Sequence, residues 1–248
     1  MKKILALIII PSISFAGKIG ENYFGIELGS TKFDLDTSWT TGSVSSGANG
    51  FSYGLKGNYN LYENSEYNYG VDIHASFFSG SGDEKVNDSD GDSWNFDTDL
   101  SRFGIGFRTH YSFDNIKIFA DLGFLDMDVE NKVTVTTGGG TNEGKVNNDG
   151  SKFLYGFGVE FSFSEKFVFQ PSILFSESPD YKETIATRNI NIPGNDLFVY
   201  TFPLSYNLSE KIDITASYQS IDLDEYKTVD YSSKSDFSIW SLGLDYKF

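Results

Sequence analysis

Between Phe153 and Phe163 every odd position is large and apolar (Phe153, Tyr155, Phe157, Val159, Phe161, Phe163), while the even ones are Leu154, Gly156, Gly158, Glu160 and Ser162. A period of two sends the odd side chains to one face of a β-strand. At ~3.4 Å per residue such a strand is about 35 Å long, which matches a tilted membrane-crossing strand and exceeds the usual soluble one. The pattern recurs from Phe51 to Leu61, Tyr67 to Phe77, Phe103 to Phe113, Ile116 to Phe124, Phe167 to Phe175 and Phe198 to Leu208. Weaker versions lie at Phe24 to Leu28, Ile212 to Tyr218 and Trp240 to Phe248. Together these predict ten strands; a missed hairpin would make eight and a split loop twelve.

Connections between the strands alternate in length. Tight ones fall at Glu63-Asn64-Ser65, Asp114-Asn115, Ser164-Glu165-Lys166 and Ser209-Glu210-Lys211. The other five, roughly 37–49, 83–94, 131–149, 180–195 and 224–234, are long and rich in Gly, Asn, Asp, Ser and Thr. Short turns at one end and long loops at the other predict an all-β, up-and-down antiparallel barrel with periplasmic turns and external loops. An even strand number puts both termini on the periplasmic side. Lipid offers no hydrogen bonds, so the apolar face looks outward and the sheet closes to leave no free edge. Tyr59, Tyr111, Phe113, Phe163, Phe167, Tyr206, Tyr246 and Phe248 then gather near the tight turns as an interfacial aromatic girdle.

The first residues carry Lys2 and Lys3, an apolar run from Ile4 to Ile10, then Pro11 and small residues up to Ala16. That run is far short of the ~20 apolar residues of a spanning helix. It predicts a cleaved signal peptide over 1–16, with Gly17 first in the mature chain and 17–248 a single barrel domain. Of 19 basic residues, removing Lys2 and Lys3 leaves 17 against 35 acidic ones, a net charge of −18. No basic stripe is present to release counterions from a polyanion, which argues against a nucleic-acid partner. The absence of cysteine excludes a disulfide framework, a Cys-ligated metal and a thiol nucleophile.

The last eight residues, Ser241-Leu242-Gly243-Leu244-Asp245-Tyr246-Lys247-Phe248, resemble the assembly signal that Gram-negative outer-membrane barrels present to the barrel-assembly machinery. A polar residue, a glycine two later and two alternate aromatics ending the chain fill its four slots: Ser241, Gly243, Tyr246 and Phe248. In size and plan the whole mature chain is similar to small porin-like barrels and opacity-type surface proteins. The resemblance implies a bacterial outer-membrane location, with membrane lipid and the assembly machinery as partners.

Opposite parity gives the interior: Glu27, Lys56, Asp72, His74, Arg108, His110, Lys117, Asp121, Glu160, Gln170, Asp213, Gln219, Asp245 and Lys247. Both signs of charge are present. In a barrel of about ten strands side chains largely fill the lumen, so buried ions should pair and form a plug; a narrow water-filled path is the alternative.

Asp72-Ile73-His74 resembles the Asp-x-His of omptin-type barrel proteases, but those hold the pair at the outer rim beside a second Asp pair, and His74 lies mid-strand. His110-Tyr111-Ser112 resembles the His-x-Ser of lipid A deacylase barrels, whose catalytic face addresses lipid, whereas His110 points inward. Register separates the two histidines by about 10 Å or more, too far to share a metal. Asp88, Asp90 and Asp92 alternate in an outer loop and form a weak Ca²⁺ candidate. The glycine of that loop is fourth rather than sixth and its twelfth residue is Asp99, so it is no EF-hand, and a solvated acidic loop is the plainer reading. Thr136 to Thr141 reads as flexible loop, because neither lysine-serine nor a helix follows its glycines.

No cofactor and no catalytic residue is expected. The leading expectation is a structural or surface-interaction barrel whose loops meet host or neighbouring-cell ligands. A small porin-like channel preferring cations is the alternative, and a barrel enzyme acting on peptides or lipid A the third.

Overall fold

The computed structural model describes residues 18–248 except 41, 88–90, 177–180, 186–187, 193–196, 224–225 and 229–230. The signal segment 1–16, and Asp88 and Asp90 of the Ca²⁺ candidate, lie outside the described residues. The alternating segments form β1 (Tyr23–Trp39), β2 (Gly42–Asn64), β3 (Tyr69–Asn87), β4 (Ser93–Phe113), β5 (Ile116–Thr137) and β6 (Gly140–Ser162). Then follow β7 (Phe167–Phe169), β8 (Ser172–Ser176), a hairpin of β9 (Tyr181–Ile185) and β10 (Arg188–Ile192), and β11 (Leu197–Ser209), β12 (Ile212–Leu223), β13 (Tyr226–Thr228) and β14 (Tyr231–Lys247).

β7 and β8 are two lengths of one barrel strand, both lying between β6 and β11. Pro171 stands between them, since proline brings no N–H to the ladder; its carbonyl still accepts from Val159 N at 3.0 Å. Neighbours are antiparallel throughout, and β14 pairs with β1 from Tyr23 opposite Lys247 to Trp39 opposite Tyr231. The ring therefore closes with ten strands: β1 to β6, β7 with β8, β11, β12 and β14.

The short turns are built by local side-chain acceptors. Asn64 Oδ1 accepts from the N–H groups of Glu66 and Tyr67, Ser164 Oγ from Lys166 and Phe167, and Ser209 Oγ from Lys211. Asp114 takes a left-handed φ of 48° in the two-residue turn before β5, a conformation Asp tolerates.

Outward side chains form an apolar belt. On β4 it runs from Phe103 to Phe113, with Phe103, Ile105, Phe107, Tyr111 and Phe113 all 41–54% exposed. That is about 34 Å along the strand, or ~25 Å along the axis at ~45° tilt, the height of an outer-membrane apolar band. Aromatic rings mark both edges. Tyr59, Tyr111, Phe113, Phe163, Phe167, Tyr246 and Phe248 are exposed near the short turns. At the other edge Phe124, Phe153, Tyr155, Phe175 and Phe198 touch in sequence, with ring centroids 5.4–6.4 Å apart.

The five long loops expected from composition are corrected by the structure: in most of their length they are strand. β4, β5 and β6 contain 21, 22 and 23 residues, and roughly half of each lies beyond the belt. There the polarity inverts. Asp97, Asp99, Asp126, Asp128 and Glu130 take the outward positions, while Trp94, Phe96, Leu100, Leu125 and Val135 are buried inside. Once the wall leaves lipid its outside meets water, and the apolar set moves to the interior as in a soluble barrel. Polar outward residues disguise such a stretch as loop.

Candidate functional site

Inside the belt, the side chains predicted for the lumen are brought together in ladder rows. Asn60, Asp72, Arg108 and Asp121 are direct neighbours across β2, β3, β4 and β5. Arg108 grips Asp121 with two hydrogen bonds, Nε to Oδ1 at 2.8 Å and Nη2 to Oδ2 at 2.9 Å, and lies over the Phe119 ring at 4.1 Å. His74 Nε2 approaches the same carboxylate to 3.6 Å. Asn60 donates to Asp72 Oδ1 at 3.0 Å, and His110 Nε2 is 3.9 Å from Asp72 Oδ2.

A second row runs Asp213, Asp245, Gly25, Lys56 across β12, β14, β1 and β2. Lys56 reaches over Gly25 to Asp245 at 3.0 Å, and Thr215 donates to the other Asp245 oxygen at 2.8 Å. Lys117 lies 3.6 Å from Glu160, and Lys247 3.2 Å from Asp213 and 3.7 Å from Glu21. Glu27, Lys56, Asp72, Arg108, Asp121, Glu160, Asp213 and Asp245 are all buried; Lys117 and Lys247 sit nearer the short-turn mouth, 28% and 13% exposed.

Glycines make this packing possible. A Cβ at Gly25 would stand 2.0 Å from Asp245, one at Gly70 2.3 Å from His110, one at Gly106 2.5 Å from His74 and one at Gly54 2.8 Å from Glu27. Each long side chain thus lies across a bare stretch of the neighbouring strand. Gly25→Ala is expected to part Lys56 from Asp245 and to destabilise the refolded barrel by about 1–3 kcal/mol, as overpacking does; an unchanged urea midpoint would contradict the crossing.

Asp72 and His74 do not act as one pair, since they face different carboxylate or amide partners within the half nearest the short turns. His110 is level with Gly70, four residues from His74 on β3, so the histidines stay apart. Among the described residues no group of three His, Asp or Glu is arranged to hold a metal. Two inward cations escaped the sequence reading, Arg102 and Lys152, although parity on β4 and β6 would have found both. Arg102 is 3% exposed and rests on the Phe78 ring at 4.3 Å.

The assembly-signal residues lie on β14 and just beyond it. Gly243 faces inward beside Lys56, Tyr246 and Phe248 face outward, and Ser217 and Ser241 share a 2.6 Å hydrogen bond. On the outer wall, where the belt yields to acidic residues, Phe51, Tyr53, Ser79, Asp99, Asp128 and Glu130 border a cleft of ≈ 360 Å³. Above the belt Lys32 lies 2.7 Å from Asp34, which raises its pKa.

No family model and no curated protein matches this chain. Solved structures do. The outer membrane protease OmpT of Escherichia coli aligns over 96% of this chain and 99% of its own, with a TM-score of 0.64 at 11% identity. The fold is that of an outer-membrane β-barrel. With its apolar belt turned outward, such a barrel belongs in a bacterial outer membrane. Two further solved structures match at lower similarity. Ail, the attachment invasion locus protein of Yersinia pestis, covers 92% of this chain and 99% of its own, with a TM-score of 0.33 and 16% identity. Neisserial surface protein A covers 91% and 97%, with a TM-score of 0.34 and 14% identity.

Proposed function

We propose that this protein is a sealed outer-membrane barrel that serves as a surface scaffold, carrying its outer hairpins to ligands on host or neighbouring cells. The pairing inside the belt carries this reading: Lys56 with Asp245, Arg108 with Asp121, Lys117 with Glu160 and Lys247 with Asp213 neutralise one another in direct contact. A conducting lumen needs charges that face water, and these face each other. Chemistry on a substrate is not part of the reading. OmpT is named a protease, but here Asp72 and His74 are buried among lumen partners, far from the outer rim. The scaffold needs no cofactor, and its partners are outer-membrane lipid, the barrel-assembly machinery that would read Ser241, Gly243, Tyr246 and Phe248, and the surface ligands of the hairpins.

The test is a planar bilayer carrying the refolded mature chain. Silence over the range of voltages where porins conduct is the expected record. Steady unitary steps, reduced when Asp72 or Asp121 is neutralised, would instead establish the small cation-preferring channel.

A further inference from the structure

Before β1, residues Lys18 to Glu21 form a β-turn. Glu21 N donates to Lys18 O at 3.4 Å, and Gly20, third of the four, has φ +81°. That is the geometry of a type II turn, in which the third position favours glycine. The turn is not outside the barrel. Ile19 at its tip is 1% exposed, and the polar groups of the tip meet charged side chains from three strands. Ile19 N donates to Glu160 Oε2 of β6 at 2.8 Å, Gly20 N donates to Asp72 Oδ2 of β3 at 3.0 Å, and Lys117 Nζ of β5 donates to Ile19 O. The following residues are held as well. Asn58 Nδ2 donates to Glu21 O at 2.9 Å, Asn60 N to Asn22 Oδ1 at 2.7 Å, and Phe248 N to Asn22 O at 3.1 Å.

Glu160 and Asp72 are buried carboxylates that each spend one oxygen on a backbone N–H, while the other oxygen of Glu160 faces Lys117. A buried amide and a buried carboxylate each require such a partner. Among the lumen charges these two, with Lys117, form a receptor for one peptide turn. We propose that Lys18–Asn22 is a docked stopper occupying the short-turn, periplasmic mouth, and that Glu160, Asp72 and Lys117 are the residues that hold it. The lumen is then closed in two parts, by ion pairs along the wall and by a piece of chain across the mouth. The inference deepens the sealed-barrel reading and rests on it.

The chain has no cysteine, so a single introduced thiol is an unambiguous probe. Ile19→Cys in the full mature barrel should react with a bulky maleimide about tenfold or more slowly than Lys211→Cys, an exposed turn position, because labelling must wait for local opening. Adding Asp72→Asn and Glu160→Gln together should raise the Ile19→Cys rate toward that of the control, while the heat-dependent gel shift shows the barrel still folded. Gly20→Val, which a left-handed φ excludes, should do the same without touching either carboxylate. Rapid labelling of Ile19→Cys in the unaltered background would overturn the stopper. Slow labelling that neither the carboxylate pair nor Gly20→Val accelerates would overturn the assignment of its holders. Conductance steps from the unmodified protein would count against the sealed barrel and are read separately from the labelling.

Discussion

Arg108→Met is expected to destabilise the barrel by about 3–5 kcal/mol, the usual result of leaving one member of a buried ion pair alone. Arg108 and Asp121 are each about 4% exposed and share two hydrogen bonds, so losing the guanidinium strands a carboxylate in the middle of the lumen. Asp121→Leu added to Arg108→Met should recover most of that loss, since two apolar groups of similar bulk leave no charge unpaired. Urea unfolding of the single and double variants in lipid vesicles measures both; a double variant as weak as the single would show that pairing is not what holds this row.

The second large effect concerns the other face of the same strand. Phe107 is 54% exposed in the middle of the belt, and Phe107→Arg is expected to destabilise the barrel by about 2–4 kcal/mol, the depth-dependent penalty for arginine facing lipid. Asp126→Arg, two residues past the outermost belt position of β5, should stay within about 0.5 kcal/mol. Equal effects at the two sites would place the membrane boundary elsewhere on the wall.

The strand plan was legible because lipid imposes one simple demand. Every second residue on a spanning strand must be apolar, and Phe153 to Phe163 announces this without help from any neighbour. The lumen was legible in membership but not in pairing. Parity alone selects Lys56 and Asp245, yet their contact depends on β14 closing against β1 across Gly25, a relation between the two ends of the chain. Arg102 and Lys152 were missed for a different reason, since each lies one residue before the apolar run that marks its strand, at Phe103 and Phe153. The outer hairpins were misread because the rule reverses beyond lipid: Asp97, Asp99, Asp126 and Asp128 mark a wall in water, and the apolar signal passes to Trp94, Phe96 and Leu125. Lys18–Asn22 had no signal beyond Gly20, because a turn bound by three distant side chains has no periodicity.

The reversal of polarity above the membrane also determines what an antibody or a phage tail would meet. It would touch a palisade of strands in which only alternate residues are on view, as with Asn95 standing between the hidden Trp94 and Phe96. Substitutions tolerated along these hairpins should then be staggered, free at one residue and restrained at the next. A single-residue insertion in such a hairpin would be far more disruptive than a substitution, because it would exchange the displayed set for the concealed one along the rest of the strand.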